Sequence, residues 1–220
     1  MATLDDTTRQ PPQQRRSSAV SAATLAIIAA VLTLGVVTIA NVTRDRIARS
    51  QQVWIKQHLD ALIPPQSYDN DPLSDTIEVT APELLGTSQP VTIYRARKSG
   101  APVAVAVRSI APDGYRGPIE LLVGIAPDGT LIGVQVIRHD ETPGLGDAFE
   151  NRDADWLERF RGLSLSNPPQ QRWTVRRDGG DFDAFTGATI TPRAIVKAVR
   201  RTLEFYRGQQ ERLYREPQQQ

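Results

Sequence analysis

The sequence predicts an α+β protein, with a single N-terminal transmembrane helix followed by one compact α+β domain that contains an antiparallel sheet. Three observations support this fold class. Residues 19–40 form a run without a charged residue. Alternating or β-rich apolar segments occupy much of residues 91–139, and this pattern is typical of strands. A helical spacing of apolar residues follows Thr191 and Pro192.

The composition excludes several classes of function. The 220 residues include 26 Lys+Arg and 25 Asp+Glu, a net charge of +1, which gives no reason to expect a nucleic-acid partner. The absence of cysteine excludes disulfides, thiolate zinc sites, thiol catalysis and iron–sulfur ligation. With two histidines, a multi-histidine metal site is not expected. Any redox chemistry would therefore need an organic cofactor.

Residues 19–41 are predicted to form the membrane helix, after a polar segment at residues 1–18. A spanning helix needs about 20 apolar residues at a rise of about 1.5 Å each. The alternatives are a buried helix of a soluble core and a cleaved signal peptide, although the apolar part of a signal peptide is shorter, about 7–15 residues. Three basic residues precede the run and four follow it closely, so charge leaves the orientation open.

Residues 42–75 are predicted to form a juxtamembrane helix and a linker. The helix is expected over residues 42–66, and Pro64-Pro65 stops it. Its apolar face at helical spacing consists of Trp54, Ile55, His58, Leu59 and Leu62. His58 is expected to be packed or interfacial rather than a ligand. Residues 67–75 are polar and rich in Pro, Asp and Asn, which favours a linker.

The compact domain is expected at residues 76–208. Its predicted strands are 91–97, 102–110, 119–126 and 131–139. The last two flank the tetrapeptide Pro127-Asp128-Gly129-Thr130. A short connection with Asp-Gly between β-rich runs predicts a hairpin.

Two helices are predicted in the second half of this domain. Residues 153–161 start with Asp and place Trp156, Leu157 and Phe160 on one face. The next helix is expected to have Thr191 as its N-cap and Pro192 as its first residue. Its apolar stripe is Ile195, Val199, Leu203 and Tyr206. Residues 209–220 are expected to be a frayed C-terminal tail.

A candidate binding loop lies directly before this last helix, at residues 183–191. Three threonines surround Gly187 and Ala188, and glycine permits unusual backbone angles and close approach. Free N–H groups and the positive end of the helix dipole would stabilise an anion near Thr189, and phosphate is the usual occupant of such a place. From these residues alone, a tight turn before a capped helix is the better explanation.

The pattern Asp183-x-x-Thr186-Gly187-Ala188-Thr189 resembles the attachment motif of the covalent FMN-binding domain family, and every fixed position matches. In that family, a flavin transferase uses FAD and joins the FMN phosphate to the hydroxyl of the last threonine. The resemblance therefore implies one covalent FMN, attached to Thr189 by a phosphoester bond.

Two further segments resemble the same family. Residues 141–146, Glu-Thr-Pro-Gly-Leu-Gly, match a signature that lines the flavin ring, and Gly114-Tyr115-x-Gly117-Pro118-Ile119 also matches. Each segment alone is an ordinary turn pattern. His139 borders the first of them and is expected to make a structural hydrogen bond. The anchor, the three segments and their order resemble the family of G subunits of Rnf electron transport complexes over nearly the whole chain.

The resemblance implies roles for the residues of these segments. Thr186 and Thr191 would hydrogen-bond the phosphate. Asp183 would repel a phosphate, so we expect it to act in the modification step. The remaining cofactor-binding residues that the resemblance implies are Gly187, Ala188 and Ile190 in the loop, Glu141, Thr142, Gly144 and Gly146 at the polar edge of the ring, Leu145 on its face, and Tyr115.

The implied function is electron relay through FMN by a membrane-anchored subunit rather than catalysis by a self-contained enzyme. The complex that the chain resembles links NADH and ferredoxin or flavodoxin to ion movement. The implied partners are its other membrane and peripheral subunits and the flavin transferase. The family places this domain on the periplasmic side of the bacterial inner membrane. The alternatives are the C subunit of the sodium-translocating NADH:quinone oxidoreductase, a membrane-tethered module that binds an anion without flavin, and a flavin reductase acting alone.

Overall fold

The computed structural model describes the backbone of residues 13–150 and 155–214, and the side chains of these residues except 13–21, 39 and 41–51. Some predicted features lie outside the described residues: positions 1–12 of the polar segment, positions 153 and 154 of a predicted helix, and positions 215–220 of the tail. Contacts divide the chain into two units, one up to Gln52 and one from Val53 onward.

Helix α1, Gln13–Leu62, provides the described part of the first unit. The side chains from residue 22 to residue 38 are exposed, and large apolar ones such as Leu25 and Val36 are among them. In the described parts of the chain, no helix combines the length and the hydropathy that membrane crossing requires. The helix predicted at residues 19–41 lies within α1. Its insertion into a membrane stays a prediction.

The second unit is built on a five-stranded antiparallel sheet in which strands adjacent in sequence are adjacent in space. The strands are β1 Thr76–Val79, β2 Val91–Lys98, β3 Ala101–Ala111, β4 Ile119–Ile125 and β5 Leu131–Arg138. The four predicted strands, β2 to β5, are confirmed. The edge strand β1 is not predicted by the sequence because its four residues are too few to show an alternation.

The turn between β4 and β5 is the predicted hairpin. The Gly129 N–H donates to the Ala126 carbonyl at 2.9 Å, and the Asp128 carboxylate accepts the Thr130 N–H at 2.9 Å. Gly129 has a φ of 87°, which a residue with a side chain adopts only with strain. The Asp-Gly pair thus supplies both features that the turn needs.

A short helix, α2 Pro82–Leu85, follows β1, and the long helix α3, Ile190–Tyr214, packs against one face of the sheet. The predicted apolar stripe of α3 is confirmed, since each of the four side chains is at most 2% exposed. The strand residues in the same core include Ile93, Val105, Val107, Leu121 and Val123. The helix continues past position 208 and buries Leu213 completely. Residues 209–214 are therefore helical, where the sequence predicts a frayed tail.

The opposite face of the sheet is covered by the end of α1. Leu59, Leu62 and Ile63 are each 2% exposed, and they pack with apolar residues of all strands but β1, namely Tyr94, Ala96, Ala104, Ala106, Leu122 and Ile137. The sequence analysis expected the compact unit to start at residue 76, but these contacts show that it starts earlier in the chain.

The predicted helix at residues 42–66 belongs to α1, which ends at Leu62 rather than at residue 66. Pro65–Ser67 follows as a short 3-10 helix, because proline removes the N–H group that a continuing helix would need. The His58 ring packs edge-on against Trp54, with ring centroids 4.4 Å apart. The expectation of a packed histidine is confirmed.

The helix predicted at residues 153–161 is wrong in its described part. Only Leu157–Phe160 is helical, as a short 3-10 helix, and Asp155 has a φ of 41°. Two contacts hold the segment in this shape. The Trp156 indole N–H donates to the Asp183 carbonyl at 2.9 Å, and Phe160 stacks on Phe182 with ring centroids 4.9 Å apart. Tertiary aromatic packing overrides the helical pattern here.

A buried charge cluster joins the segment before β1 to strand β2. The Arg95 side chain is 2% exposed and forms an ion pair with Asp75. Arg97 Nε donates to the Asp75 carboxylate at 2.9 Å. Asn70 joins the same segment to β2, since its side-chain amide donates to the Arg95 carbonyl at 2.9 Å. One carboxylate thus compensates two buried guanidinium groups.

Replacing Asp75 by asparagine should lower the free energy of unfolding by about 3 kcal/mol, because two buried cations lose their counter-charge. Urea unfolding followed by circular dichroism measures the change. The control is Glu158→Gln, which removes an exposed carboxylate paired with Arg161 and should cost less than about 1 kcal/mol. Equal costs for the two variants would contradict the assigned burial of the Asp75 cluster.

Candidate functional site

Three loops of the second unit meet around a pocket of about 180 Å³. They are the loop between β3 and β4, the loop after β5 and the loop before α3, which carry the three segments singled out in the sequence. The lining residues are Tyr115, Glu141, Thr142, Leu145, Gly146, Gly187, Ala188, Thr189, Ile190 and Thr191. The structure thus brings together residues that are up to 76 positions apart in the chain, from Tyr115 to Thr191.

A tight turn delivers Thr189 to the wall of the pocket. The Ala188 N–H donates to the Phe185 carbonyl at 3.0 Å, which closes a four-residue turn. Gly187 has a φ of 80° at the third position of this turn, where only glycine is unstrained. Phe185 is buried in the core and anchors the start of the turn, so the half-buried Thr189 that follows has a fixed place.

Thr189, and not Thr191, occupies the N-cap position of α3. The Arg193 N–H donates to the Thr189 carbonyl at 3.3 Å, and the N-cap carbonyl is the one that accepts the first bond of a helix. The predicted N-cap at Thr191 and first residue at Pro192 are therefore wrong by two positions. The first turn has unpaired backbone N–H groups, and these lie beside Thr189.

Thr191 lies inside the first turn and is completely buried. Its hydroxyl donates to Glu141 Oε2 at 2.6 Å, although a phosphate was its expected partner. Glu141 is 5% exposed, and its Oε1 accepts the Arg116 N–H at 3.2 Å. Both carboxylate oxygens, expected at the polar edge of a flavin ring, are thus already bonded to the protein.

The loop after β5 folds back on itself within a few residues. The N–H groups of Leu145 and Gly146 both donate to the Thr142 carbonyl at 3.1 Å. This arrangement leaves the Leu145 side chain 46% exposed at the mouth of the pocket. Gly144, which the resemblance places at the ring, is exposed and is not among the lining residues.

His139 makes structural hydrogen bonds, as the sequence predicts. Its Nδ1 accepts the Glu141 N–H at 3.1 Å, so the ring proton lies on Nε2, which is 2.8 Å from Glu150 Oε1. The ring also packs edge-on against Phe149, with centroids 4.9 Å apart. This histidine fixes the loop that carries Glu141.

Asp183 and Thr186 lie outside the residues that line the pocket. Asp183 forms ion pairs with Arg159 and, at 3.1 Å, with Arg176. The sequence reasoning missed these two arginines as partners of Asp183, because they are 24 and 7 positions away in the chain and nothing in their local sequence indicates the pairing. Thr186 is exposed on the turn.

Three large apolar side chains form the rim of the pocket. Tyr115, Leu145 and Ile190 are 66%, 46% and 43% exposed. Among the described side chains outside α1, these are the large hydrophobic residues with high exposure. An exposed apolar patch around a pocket marks a binding surface, and aromatic and branched side chains suit the face of a planar ligand.

The charges near the start of α3 are paired. Arg193 donates to both oxygens of Asp178, at 2.6 and 3.1 Å, and this hydrogen bonding holds the pKa of the Asp178 carboxyl below its ordinary value. Lys197 is bonded to Asp113 and likewise lowers the pKa of that carboxyl. Over residues 13–150 and 155–214, no group of His, Asp and Glu side chains could hold a metal ion.

Comparison with known proteins matches residues 114–204 to the FMN-binding domain. The G subunit of the ion-translocating oxidoreductase complex of Vibrio cholerae is 43% identical over 193 residues, which cover 88% of this chain and 92% of that protein. The protein of the same name from Photorhabdus laumondii is 49% identical over 180 residues, 81% of this chain and 85% of its own. That of Pseudomonas aeruginosa is 46% identical over 178 residues, 81% and 83% of the two chains.

Proposed function

The chain belongs to the family of G subunits of ion-translocating oxidoreductase complexes, and from this premise we propose that its FMN is joined through the phosphate to the hydroxyl of Thr189. The chain is a flavoprotein electron-transfer subunit of such a complex. Membership in the G-subunit family favours this function over that of the C subunit of the sodium-translocating NADH:quinone oxidoreductase. The match to the FMN-binding domain argues against a module that binds an anion without flavin.

The position of Thr189 is the observation that carries the proposal. Its side chain lines the pocket and its residue is the N-cap of α3. A phosphate esterified there lies beside the free N–H groups of the first helical turn and at the positive end of the helix dipole. Helix N-termini of this kind bind phosphate groups in many proteins.

The residues of the site fit an FMN of which one part lies inside the pocket and the other part lies against its rim. The cavity of about 180 Å³ is smaller than the about 300–1,000 Å³ of pockets that enclose a whole small-molecule ligand. The exposed rim of Tyr115, Leu145 and Ile190 supplies apolar surface for the rest of a planar ring. The flavin, when bound, supplies the redox chemistry, while the chain binds its phosphate and positions its ring.

Thr189 also has the accessibility that a modification step needs. It is half-buried rather than enclosed, and Thr186 and Gly187 on the preceding turn are exposed. A separate flavin transferase can therefore reach the hydroxyl. We assign Asp183 to this same step, because its exposed ion pairs with Arg159 and Arg176 lie at the outer end of the loop.

The cellular setting follows from the anchor and the family. We propose that residues 19–41 span the bacterial inner membrane and hold the FMN domain on the periplasmic side, near membrane-embedded cofactors of other subunits. The apolar composition of residues 19–40 supports this anchor. Within the complex, the protein would relay electrons on the route that links NADH and ferredoxin or flavodoxin to ion movement.

The proposal is tested by producing the full chain with and without a flavin transferase. With the transferase, the denatured protein should fluoresce in a gel, and its mass should rise by one FMN less one water. Without the transferase, the mass should be that of the polypeptide alone. A protein that stays colourless and unlabelled with an active transferase would refute the covalent attachment.

A further inference from the structure

The buried carboxylate of Glu141 connects all three loops of the site. Glu141 lines the pocket together with uncharged residues, and it is 5% exposed. Its Oε1 accepts the Arg116 N–H at 3.2 Å from the loop between β3 and β4. Its Oε2 accepts the Thr191 hydroxyl at 2.6 Å from the first turn of α3. A carboxylate that accepts hydrogen bonds on both oxygens holds its partners firmly.

The backbone around Glu141 leaves just enough space for its carboxylate. A Cβ atom on Gly114 would lie 2.2 Å from the Gly117 carbonyl oxygen and 2.9 Å from Oε1, and one on Gly146 would lie 2.5 Å from Oε2 and 3.1 Å from Thr191 Oγ1. The absence of a side chain at Gly146 therefore makes room for the Glu141 carboxylate, and at Gly114 it makes room for the Gly117 carbonyl as well as for that carboxylate. The carboxylate, the two loops and the helix start form one closely packed unit.

We propose that Glu141 is a positioning residue that clamps the first turn of α3 to the two neighbouring loops, and that its negative charge also lowers the reduction potential of the flavin. The clamp acts on Thr191, two residues after Thr189, so it fixes the hydroxyl that receives FMN. This inference rests on the proposed attachment of FMN at Thr189.

The effect on potential follows from the position of the charge. Glu141 lines the same small pocket as Thr189, and a charge shielded from water acts strongly over short distances. Adding an electron to a flavin beside a fixed negative charge is less favourable than adding it beside a neutral group. The charge and the clamp can be separated, because glutamine preserves the shape of glutamate without its charge.

The test compares Glu141→Ala and Glu141→Gln in the full chain, loaded by a flavin transferase with FAD. Glutamine can accept the Arg116 N–H with its oxygen and donate its amide to the Thr191 hydroxyl, so its loading rate should stay within about twofold of the wild type. Alanine removes the clamp, and its loading rate should fall by about tenfold or more, since small misplacements of reacting groups are costly.

Two further readouts separate positioning from general structure. The loaded Glu141→Gln protein should have a more positive midpoint potential than the wild type, measured by spectroelectrochemistry. Thr191→Ser, which keeps the hydroxyl, should load faster than Thr191→Val. The control is Glu83→Gln, which neutralises an exposed carboxylate in α2, outside the pocket lining, and it should change neither loading nor potential.

Hydrogen exchange of the unloaded protein tests the clamp without flavin. In Glu141→Ala, the Arg116 amide and the Arg193 amide, which donates to the Thr189 carbonyl, should exchange faster, whereas Glu141→Gln should resemble the wild type. Unchanged exchange, or a Glu141→Ala protein that loads at the wild-type rate, would overturn the clamp. An unchanged potential in Glu141→Gln would overturn the role of the charge. Faster exchange in Glu141→Ala together with an unlabelled wild type would support the clamp and refute the proposed attachment alone.

Discussion

Replacing Thr189 by valine should abolish covalently bound flavin and leave the fold unchanged. Valine has nearly the shape of threonine but lacks the hydroxyl that the phosphoester requires. The structural contribution of Thr189 is its carbonyl, which accepts the Arg193 N–H at 3.3 Å and is present in any residue. In-gel fluorescence of the denatured protein and its intact mass measure the flavin, and circular dichroism checks the fold.

Two matched variants make this result specific to Thr189. Thr186→Val removes another hydroxyl of the same turn, one that is exposed and outside the pocket lining, and this variant should load fully. Thr189→Ser restores a hydroxyl at the attachment position and should also load. Flavin fluorescence of normal intensity on the denatured Thr189→Val protein would show that the attachment lies elsewhere.

The sequence predicted correctly those structural elements that are determined by residues close to one another in the chain. Alternation placed β2, β-rich apolar composition placed β3 to β5, and Asp128-Gly129 placed the hairpin turn because both residues act within four positions. These features need only residues that are close in the chain. The grouping of the three loop segments at one site came from the family resemblance instead, and the structure brings residues of all three segments to one pocket.

Features that depend on distant partners could not be predicted in this way. Thr191 looks like an N-cap when only its neighbours are considered, but its hydroxyl bonds Glu141, 50 residues earlier. Leu157–Phe160 has a helical apolar spacing, but Trp156 is held by the carbonyl of Asp183, 27 residues later. In both cases a specific tertiary contact outweighs a weak local preference.

The boundary of the folded unit was misplaced for a similar reason. Polar residues at 67–75 suggested a linker, and the apolar helix face before them was assigned to a juxtamembrane helix. Instead, Leu59, Leu62 and Ile63 are buried on the sheet. The partner surface includes several small residues, Ala96, Ala104 and Ala106 with Gly124 and Gly133, which come together only once their strands are paired.

A fragment of residues 76–220 should therefore fail to fold, whereas a fragment of residues 53–220 should fold cooperatively. The shorter fragment loses Leu59, Leu62 and Ile63, and burial of each such side chain contributes about 2 kcal/mol. Together they supply about 6 kcal/mol, which is comparable with the whole stability of a small domain, about 5–15 kcal/mol. It also loses Asp75, the counter-charge of Arg95 and Arg97. Thermal unfolding followed by circular dichroism distinguishes the two fragments.

Leu62→Ala tests the same contact without shortening the chain. Leu62 lies over Gly124 and Gly133, and a Cβ on these residues would lie 2.8 Å and 3.1 Å from its side chain. The cavity left by alanine cannot be filled by residues that have no side chain, so the free energy of unfolding of residues 53–220 should fall by about 3–5 kcal/mol. Val53→Ala, at a position that is 60% exposed, is the control and should be nearly neutral. A cooperative unfolding transition of residues 76–220, or a neutral Leu62→Ala, would mean that the sheet is stable without the end of α1.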